Sequence, residues 1–335
     1  MNHHQDWREI KVSALVKDQK VIEISSKISI EEACQVLLEN NISSAPIKHE
    51  GNYIGVFDYG DVIAYILLVL QPKDKEKEGY SIQDIMNKAL KGEKVSVGLV
   101  SDLSRKNPFY SIQQDSTLSS AIEIFALGTH RVCVLKPDGG IRAILSQSTV
   151  IQYLYENTKQ FSELGECMNK TIHQLNLGKE PVISVPANAT VLNALVIMSQ
   201  HGVSSLAVVS SDKIIGNISM TDVKHVMKSY RHGLLWKTCF QFVSYIKLEQ
   251  GIIEGQDRLP VFDVRPDTHL GFAIAKLLAT RAHRVWVTDE KQQLLGVVSL
   301  TDIFRILATV AGIKLPNENR RTSLNVSTFN RRDIK

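Results

Sequence analysis

Two short stretches carry residue types suited to holding a phosphate and a sugar. His283 and Arg284 enter a β-branched run, Val285-Trp286-Val287. A second run, Gly296-Val297-Val298-Ser299-Leu300-Thr301-Asp302, ends in hydroxyls and a carboxylate just before a helical pattern that opens at Ile303. Arginine offers a planar fork of donors, and a helix N-terminus offers free N–H groups at the positive end of a dipole, so phosphate is the natural guest. A carboxylate such as Asp302 can accept both hydroxyls of a ribose diol. Aspartate is also a strong helix cap, so capping and ligand contact are both open readings for Asp302 and Asp222.

Something must hold these groups in register, and the chain repeats the device. Ser299 follows Arg284 by fifteen positions and Asp302 comes three later; the same spacing takes Ser204 to Ser219 and Asp222, Ser43 to Asp58 and Asp61, and Arg131 to Ser146 and Thr149. Ahead of each lies an amphipathic helical pattern, over 30–40, 118–127, 191–201 and 270–281. One ruler used four times marks a repeat architecture. A unit of roughly 50 residues is too small to bury a good core alone, so the units are expected to pair.

Composition agrees with an α/β fold of this kind. The chain has 335 residues, 44% of them hydrophobic, and a net charge of only +4 from scattered basic residues, which points away from nucleic acid and membrane as partners. Cys34, Cys133, Cys167 and Cys239 show no CxxC spacing, the usage of a reducing compartment. No apolar run reaches membrane-spanning length, and residues 1–18 are too polar for a signal peptide. His3 and His4 lack a second ligand pair for metal.

The expected layout is a lead-in over 1–20, repeat 1 over 21–70, a charged loop and insertion over 71–107, repeat 2 over 108–160, repeat 3 with its lead-in over 161–227, an aromatic helical insertion over 228–259, repeat 4 over 260–312 and a flexible polar tail over 313–335. A lead-in helix over 7–15 would place Trp7, Ile10 and Leu15 on one face, and the apolar helix 62–70 should lie between repeats. Ser81 and Asp84 form a capping box for a helix over 82–90, Asn188-Ala189-Thr190 marks a helix start, and residues 91–106 give no clear pattern. In the aromatic insertion, Trp236, Phe240, Phe242, Tyr245 and Ile246 are expected to pack on the module.

Strand-helix-strand-strand-helix units closed by GxxSxTD turns resemble CBS repeats, the family named after cystathionine β-synthase. The resemblance implies four repeats pairing into two Bateman modules, disc-like, with adenosine ligands such as AMP in clefts between repeats and no required cofactor. By matching position, Asp61, Asp222 and Asp302 would hold ribose; Ser219, Thr221, Ser299 and Thr301 would supply hydroxyls; His130, Arg131, His283 and Arg284 would face phosphate. The layout is similar to the gamma subunit of AMP-activated protein kinase, which however carries basic residues where this chain has Ser43, Ser148 and Thr149. Fewer cations favour a monophosphate over ATP.

The fragments GNISMTDVK, LLATRAHRVWV, GVVSLTDI and LLWKTCFQFVSYI more closely resemble a fungal branch of four-repeat CBS proteins that inhibit a protein phosphatase of the 2A type. That resemblance implies a non-catalytic regulator of cytoplasm and nucleus, partnered by a phosphatase holoenzyme, with roles in mitotic progression, septation and nutrient response. It leaves a homodimer open. No P-loop, GxSxG, HExxH or zinc spacing is present, so no enzyme is expected. Phe57-Asp58-Tyr59-Gly60-Asp61 resembles the FDSGD core of small phosphatase inhibitors, a coincidence of the repeat's own turn. Arg320-Arg321-Thr322-Ser323 matches the basophilic kinase pattern and marks Ser323 for phosphorylation.

Overall fold

Two-residue alternation in the strands and 3.6-residue periodicity between them resolve into four copies of one unit in the computed structural model, which describes residues 6–70, 80–104, 109–179, 181–228, 231–254 and 261–316. Repeat 1 comprises β1 (Ile24–Ser25), α1 (Ile30–Glu39), β2 (Ser44–His49), β3 (Asn52–Asp58) and α2 (Tyr59–Leu70), and the insertion adds α3 (Tyr80–Leu90) and α4 (Val97–Val100). Repeat 2 comprises β4 (Ser111–Gln113), α5 (Leu118–Ala126), β5 (Arg131–Leu135), β6 (Ile141–Ser146) and α6 (Gln147–Glu156). After α7 (Ser162–Met168), repeat 3 follows with β7 (Ser184–Pro186), α8 (Val191–His201), β8 (Ser205–Ser210), β9 (Lys213–Ser219) and α9 (Val223–Met227). Next come α10 (Cys239–Glu254) and repeat 4, built of β10 (Asp263–Val264), α11 (Leu270–Thr280), β11 (Arg284–Thr288), β12 (Leu294–Ser299) and α12 (Leu300–Val310).

Each repeat folds a three-stranded sheet whose first strand runs parallel to the second and whose third runs antiparallel to it. The parallel step is bridged by a helix with a hydroxyl N-cap in three cases: Ser29, Thr117 and Thr190 each accept a hydrogen bond from a first-turn N–H.

The hairpins, however, are of two kinds. Repeats 1 and 3 turn within two residues, so Ser44 pairs with Asp58 and Ser205 with Ser219; repeats 2 and 4 use longer loops, so Arg131 pairs with Ser146 and Arg284 with Ser299. The fifteen-residue ruler therefore slips by one in repeats 1 and 3. By strand register the counterparts of the two arginines are Ser44 and Ser205, not Ser43 and Ser204.

The helices build two separate cores, and each joins alternate repeats. One gathers Ile30, Leu37, Phe57 and Val62 of repeat 1 with Leu195, Met198, Val223 and Val226 of repeat 3. The other gathers Phe125 and Val150 of repeat 2 with Leu277, Phe304 and Leu307 of repeat 4. In the second, Phe125 on α5 meets Phe304 on α12 edge to face, ring centroids 5.1 Å apart. Each fully buried phenylalanine is worth about 1.5–3 kcal/mol of transfer free energy. Consecutive repeats meet through their sheets instead: Tyr53 stacks on Phe109 between repeats 1 and 2, and Trp286 of repeat 4 packs against Ala207 and Ile214 of repeat 3. This layout fills the two-module arrangement.

Several expectations need correction. The lead-in is two single 3-10 turns, Trp7–Glu9 and Val12–Ala14, because Ile10 and Lys11 stay extended and Lys11 bridges Thr117; Trp7, Ile10 and Val12 still enter the second core. Helix α2 lies against α8 and is fully buried over Tyr59–Ala64, with Tyr65 to Leu68 half-buried against the same core, whereas Leu70 is exposed. Helix α3 begins at Tyr80, which places Ser81 inside the helix and not at its cap. Of the aromatic insertion, Phe242 and Ile246 are buried, but Trp236 is 63% and Phe240 57% exposed. His3, His4 and Ser323 lie outside the described residues. Among the described residues no helix is long and apolar enough to cross a membrane, and no acid, His or Cys cluster suits a metal.

Candidate functional site: a basic central cavity with two open acidic turns

Helix α12 begins at Leu300 and not at Ile303, which puts Asp302 in its first turn with Ser299 as the N-cap. Asp302 Oδ2 accepts from the Ser299 N–H at 2.9 Å and from Ser299 Oγ at 2.7 Å, and the Asp302 N–H donates back to Ser299 Oγ at 3.2 Å. This reciprocal box satisfies the helix end. The same box recurs in repeat 3, where Asp222 Oδ2 accepts from the Ser219 N–H at 2.7 Å and from Ser219 Oγ at 2.9 Å. Capping and ligand contact are thus compatible, since capping engages Oδ2 alone. Asp302 Oδ1 meets Arg305 Nη1 at 3.2 Å. Burial raises the Asp222 pKa, opposed by its bonds to Ser219.

The neighbouring hydroxyls are also engaged. Thr221 Oγ1 lies 2.8 Å from Ser219 Oγ, while Thr301 Oγ1 accepts from the buried Gln147 amide of repeat 2 at 3.0 Å. Gln147 also donates to the Phe125 and Thr129 carbonyls, so the repeat 4 turn is tied to repeat 2 across the core.

These turns open on a central cavity of about 1390 Å³ walled by all four repeats. Ser219, Thr221, Asp222, Ser299, Thr301, Asp302, His130, Arg131, His283 and Arg284 all line it. Arg131 donates to Ser43 Oγ at 2.7 Å and Arg284 to Ser204 Oγ, so each arginine crosses to the partner repeat of its module. His283 faces the cavity and is exposed to it, with Arg131 and Arg284 beside it. Desolvation by the surrounding protein, then the two arginines, lowers its pKa to about 4. The cationic wall is completed by Lys224, Lys247, Arg281 and Arg305, which sequence reading did not single out. Arg305 has a local signal in its spacing of three from Asp302 on one helix face, and Lys224 and Arg281 lie two residues from Asp222 and His283 on the same stretches; Lys247 depends on how α10 meets the repeats.

Asp61 does not join them. It is 0% exposed, its Oδ2 accepts from the Asp58 N–H at 3.2 Å, and its Oδ1 accepts from the Ser104 N–H at 2.9 Å. The insertion therefore closes over this turn from outside the repeat. Burial, and then the adjacent Asp58 carboxylate, push the Asp61 pKa well up. Asp58, not Asp61, faces the cavity, and it caps α2 by accepting from the Gly60 and Asp61 N–H groups at 2.7 and 3.2 Å.

Behind the repeat 3 turn lies a second unforeseen cluster. His225 on α9, 6% exposed, contacts Glu249 of α10 at 2.6 Å through Nδ1, and Lys228 meets the same carboxylate at 2.9 Å. Burial lowers the His225 pKa against the pull of Asp222 and Glu249.

A CBS-domain model matches residues 12–68, 100–156, 175–229 and 257–309. Protein SDS23 of Kluyveromyces lactis is 35% identical over 334 residues, covering 91% of this chain and 64% of that protein. SDS23 of Candida albicans is 35% identical over 311 residues, covering 86% of this chain but only half, 50%, of that protein. SDS23 of Scheffersomyces stipitis is 31% identical over 397 residues, covering 96% of this chain and 75% of the relative. Among solved structures, protein MJ1225 of Methanocaldococcus jannaschii, described as a candidate archaeal homologue of g-AMPK, superposes with a TM-score of 0.69 at 14% identity over 89% of this chain and all of that one. With four family matches laid on four structural repeats, and likeness to the fungal relatives along nearly its whole length, this chain belongs to the CBS-domain family and, within it, to the SDS23 proteins.

Proposed function

We propose that this chain is a non-catalytic regulatory protein that inhibits a protein phosphatase of the 2A type, acting in cell-cycle progression, septation and nutrient response in cytoplasm and nucleus. The observation that carries this reading is the extended likeness to SDS23 proteins, 31% over 96% of the chain, which includes the aromatic segment before repeat 4. The segment has the makings of a contact surface, because two of its aromatic side chains, Trp236 and Phe240, are displayed and not used for the core. The test is to add the purified chain to a phosphatase 2A holoenzyme acting on a phosphopeptide. The reading expects inhibition near stoichiometric concentration and a complex on gel filtration; full activity with no complex would overturn it.

A second reading is favoured by the cavity: an adenosine ligand, AMP foremost, tunes that regulator. Two open acidic turns face a wall bearing Arg131, Arg284, Arg305, Lys224 and Lys247. About 1390 Å³ exceeds the roughly 300–1,000 Å³ typical of a small-molecule pocket. In this reading Asp222 and Asp302 accept ribose hydroxyls and the arginines face phosphate. Calorimetric titration of AMP, ADP and ATP tests it, with Asp222→Ala and Asp302→Ala as controls. Binding lost in both variants would support it, and absence of heat from any nucleotide would sink it.

A further inference from the structure

Each of the four strand-to-helix turns buries the side chain at its first helical position. In three repeats that side chain is Tyr59, Met220 or Leu300, whereas in repeat 2 it is the amide of Gln147, 4% exposed. A buried amide costs free energy unless it is bonded, and this one reaches across its module to Thr301, the residue after Leu300 in the repeat 4 turn. In the other module Met220 of repeat 3 makes the matching reach, to Gly60 of repeat 1, with only a methyl group.

The acceptors around Gln147 fix the direction of every bond in this group. The Phe125 and Thr129 carbonyls can only accept, so the Gln147 group that meets them, at 3.3 and 3.1 Å, is its NH2. The same nitrogen lies 3.0 Å from Thr301 Oγ1, which therefore accepts. The Thr301 proton is left over. No other hydrogen bond engages this hydroxyl among the described residues, and Thr301 lines the cavity.

Thr221, its counterpart in repeat 3, is the reverse case. Ser219 Oγ spends its proton on the Asp222 carboxylate at 2.9 Å. At the 2.8 Å contact between Ser219 Oγ and Thr221 Oγ1 the proton must then come from Thr221. Two turns with the same Ser-x-Thr-Asp spelling thus offer the cavity opposite groups, a hydroxyl proton in repeat 4 and lone pairs alone in repeat 3. A phosphate presents acceptor oxygens, so it is matched by Thr301 and met only by lone pairs at Thr221.

We propose that Gln147 is a positioning residue that makes the repeat 4 turn the phosphate-taking turn of the cavity, by holding Thr301 as a donor, while Thr221 has no proton to give. The proposal rests on the adenosine-ligand reading and names the turn that meets the phosphate.

The test is calorimetric titration of AMP and of adenosine into the full chain and into its Thr301→Val, Thr221→Val and Gln147→Leu variants. Adenosine carries no phosphate and serves as the reference. AMP affinity should fall about tenfold in Thr301→Val and as far in Gln147→Leu, with adenosine affinity held, whereas Thr221→Val should change AMP affinity by less than about twofold. Because Gln147 acts through Thr301, adding Gln147→Leu to Thr301→Val should cost no further affinity. Equal AMP losses in the two Thr variants, additive losses in the double variant, or parallel losses of adenosine would overturn the proposal and leave the adenosine reading standing. No heat from either compound in the wild-type chain would sink both. Gln147→Leu leaves the Phe125 and Thr129 carbonyls without this donor; if that variant unfolds, the comparison of Thr301→Val with Thr221→Val decides alone.

Discussion

Repeats 1 and 4 share one turn, and a segment from outside the repeat lies over each, crossing the matching strand glycine, Gly55 or Gly296, yet only over repeat 1 does the cover go on to reach the acid. Over repeat 1 the insertion reaches the acid itself through Ser104, whose backbone N–H seals it. Over repeat 4 the segment through Gly178 crosses the middle of β12 at Gly296 and leaves Asp302 on the cavity wall. Equivalent acids thus become a structural acceptor in one repeat and an available side chain in the other. What a repeat's motif can do is set by what is laid across it.

The largest effect should come from Gly296→Ala. A methyl there drives into the Gly178 carbonyl, a backbone group that cannot rotate away, and the loss should be about 3 kcal/mol in urea unfolding. Next, Asp61→Ala strips the acceptor from the buried Asp58 and Ser104 N–H groups and should cost about 2 kcal/mol, with no change in AMP affinity. Asp302→Ala reverses that pattern: it removes half of a capping box, about 1 kcal/mol, yet should weaken AMP binding at least tenfold in calorimetry. An equal stability loss in the two Asp variants would erase the contrast between the sealed turn and the open one.

Gly55→Ala should be milder than its counterpart in repeat 4, under about 1 kcal/mol, because the obstacle is the Ser101 hydroxyl, which can swing aside. The finest discrimination is pH dependence. The folded Asp61 pKa lies well above its ordinary value of 3.8, so between the two values the native state binds more protons than the unfolded chain. Stability from this group therefore falls as pH rises through that window, and wild type should lose ground to Asp61→Asn on going from acid to neutral pH. A pH-independent difference would mean that Asp61 is not desolvated.

The fold was legible because strand alternation and helix phase are local, and the four helical patterns end within a residue of the observed helices. The turns at Asp222 and Asp302 were legible for the same reason, as capping boxes written in three consecutive steps of chain. Ser204 and Ser43 were misaligned because hairpin loop length sets strand register, and the spacing alone does not show where the loop lies. The fate of Asp61 was hidden because Ser104 comes from 43 residues away. Trp236 and Phe240 are expected to pack on the module, but Trp236 sits in the 3-10 turn ahead of α10, and α10 spends its buried face on Phe242 and Ile246.

The pairing of alternate repeats in the two cores also sets an order of events in time. The first core waits for α8 and α9 and the second for α12, so no half of the chain can finish on its own as it leaves the ribosome. Arg8 donates to the Val310 carbonyl at 3.0 Å, a contact spanning 302 positions. Such long-range closure slows folding, and it keeps the apolar faces of repeats 1 and 2 uncovered until late in synthesis. Chaperone dependence and poor recovery of half-length chains are the expected signatures of this wiring.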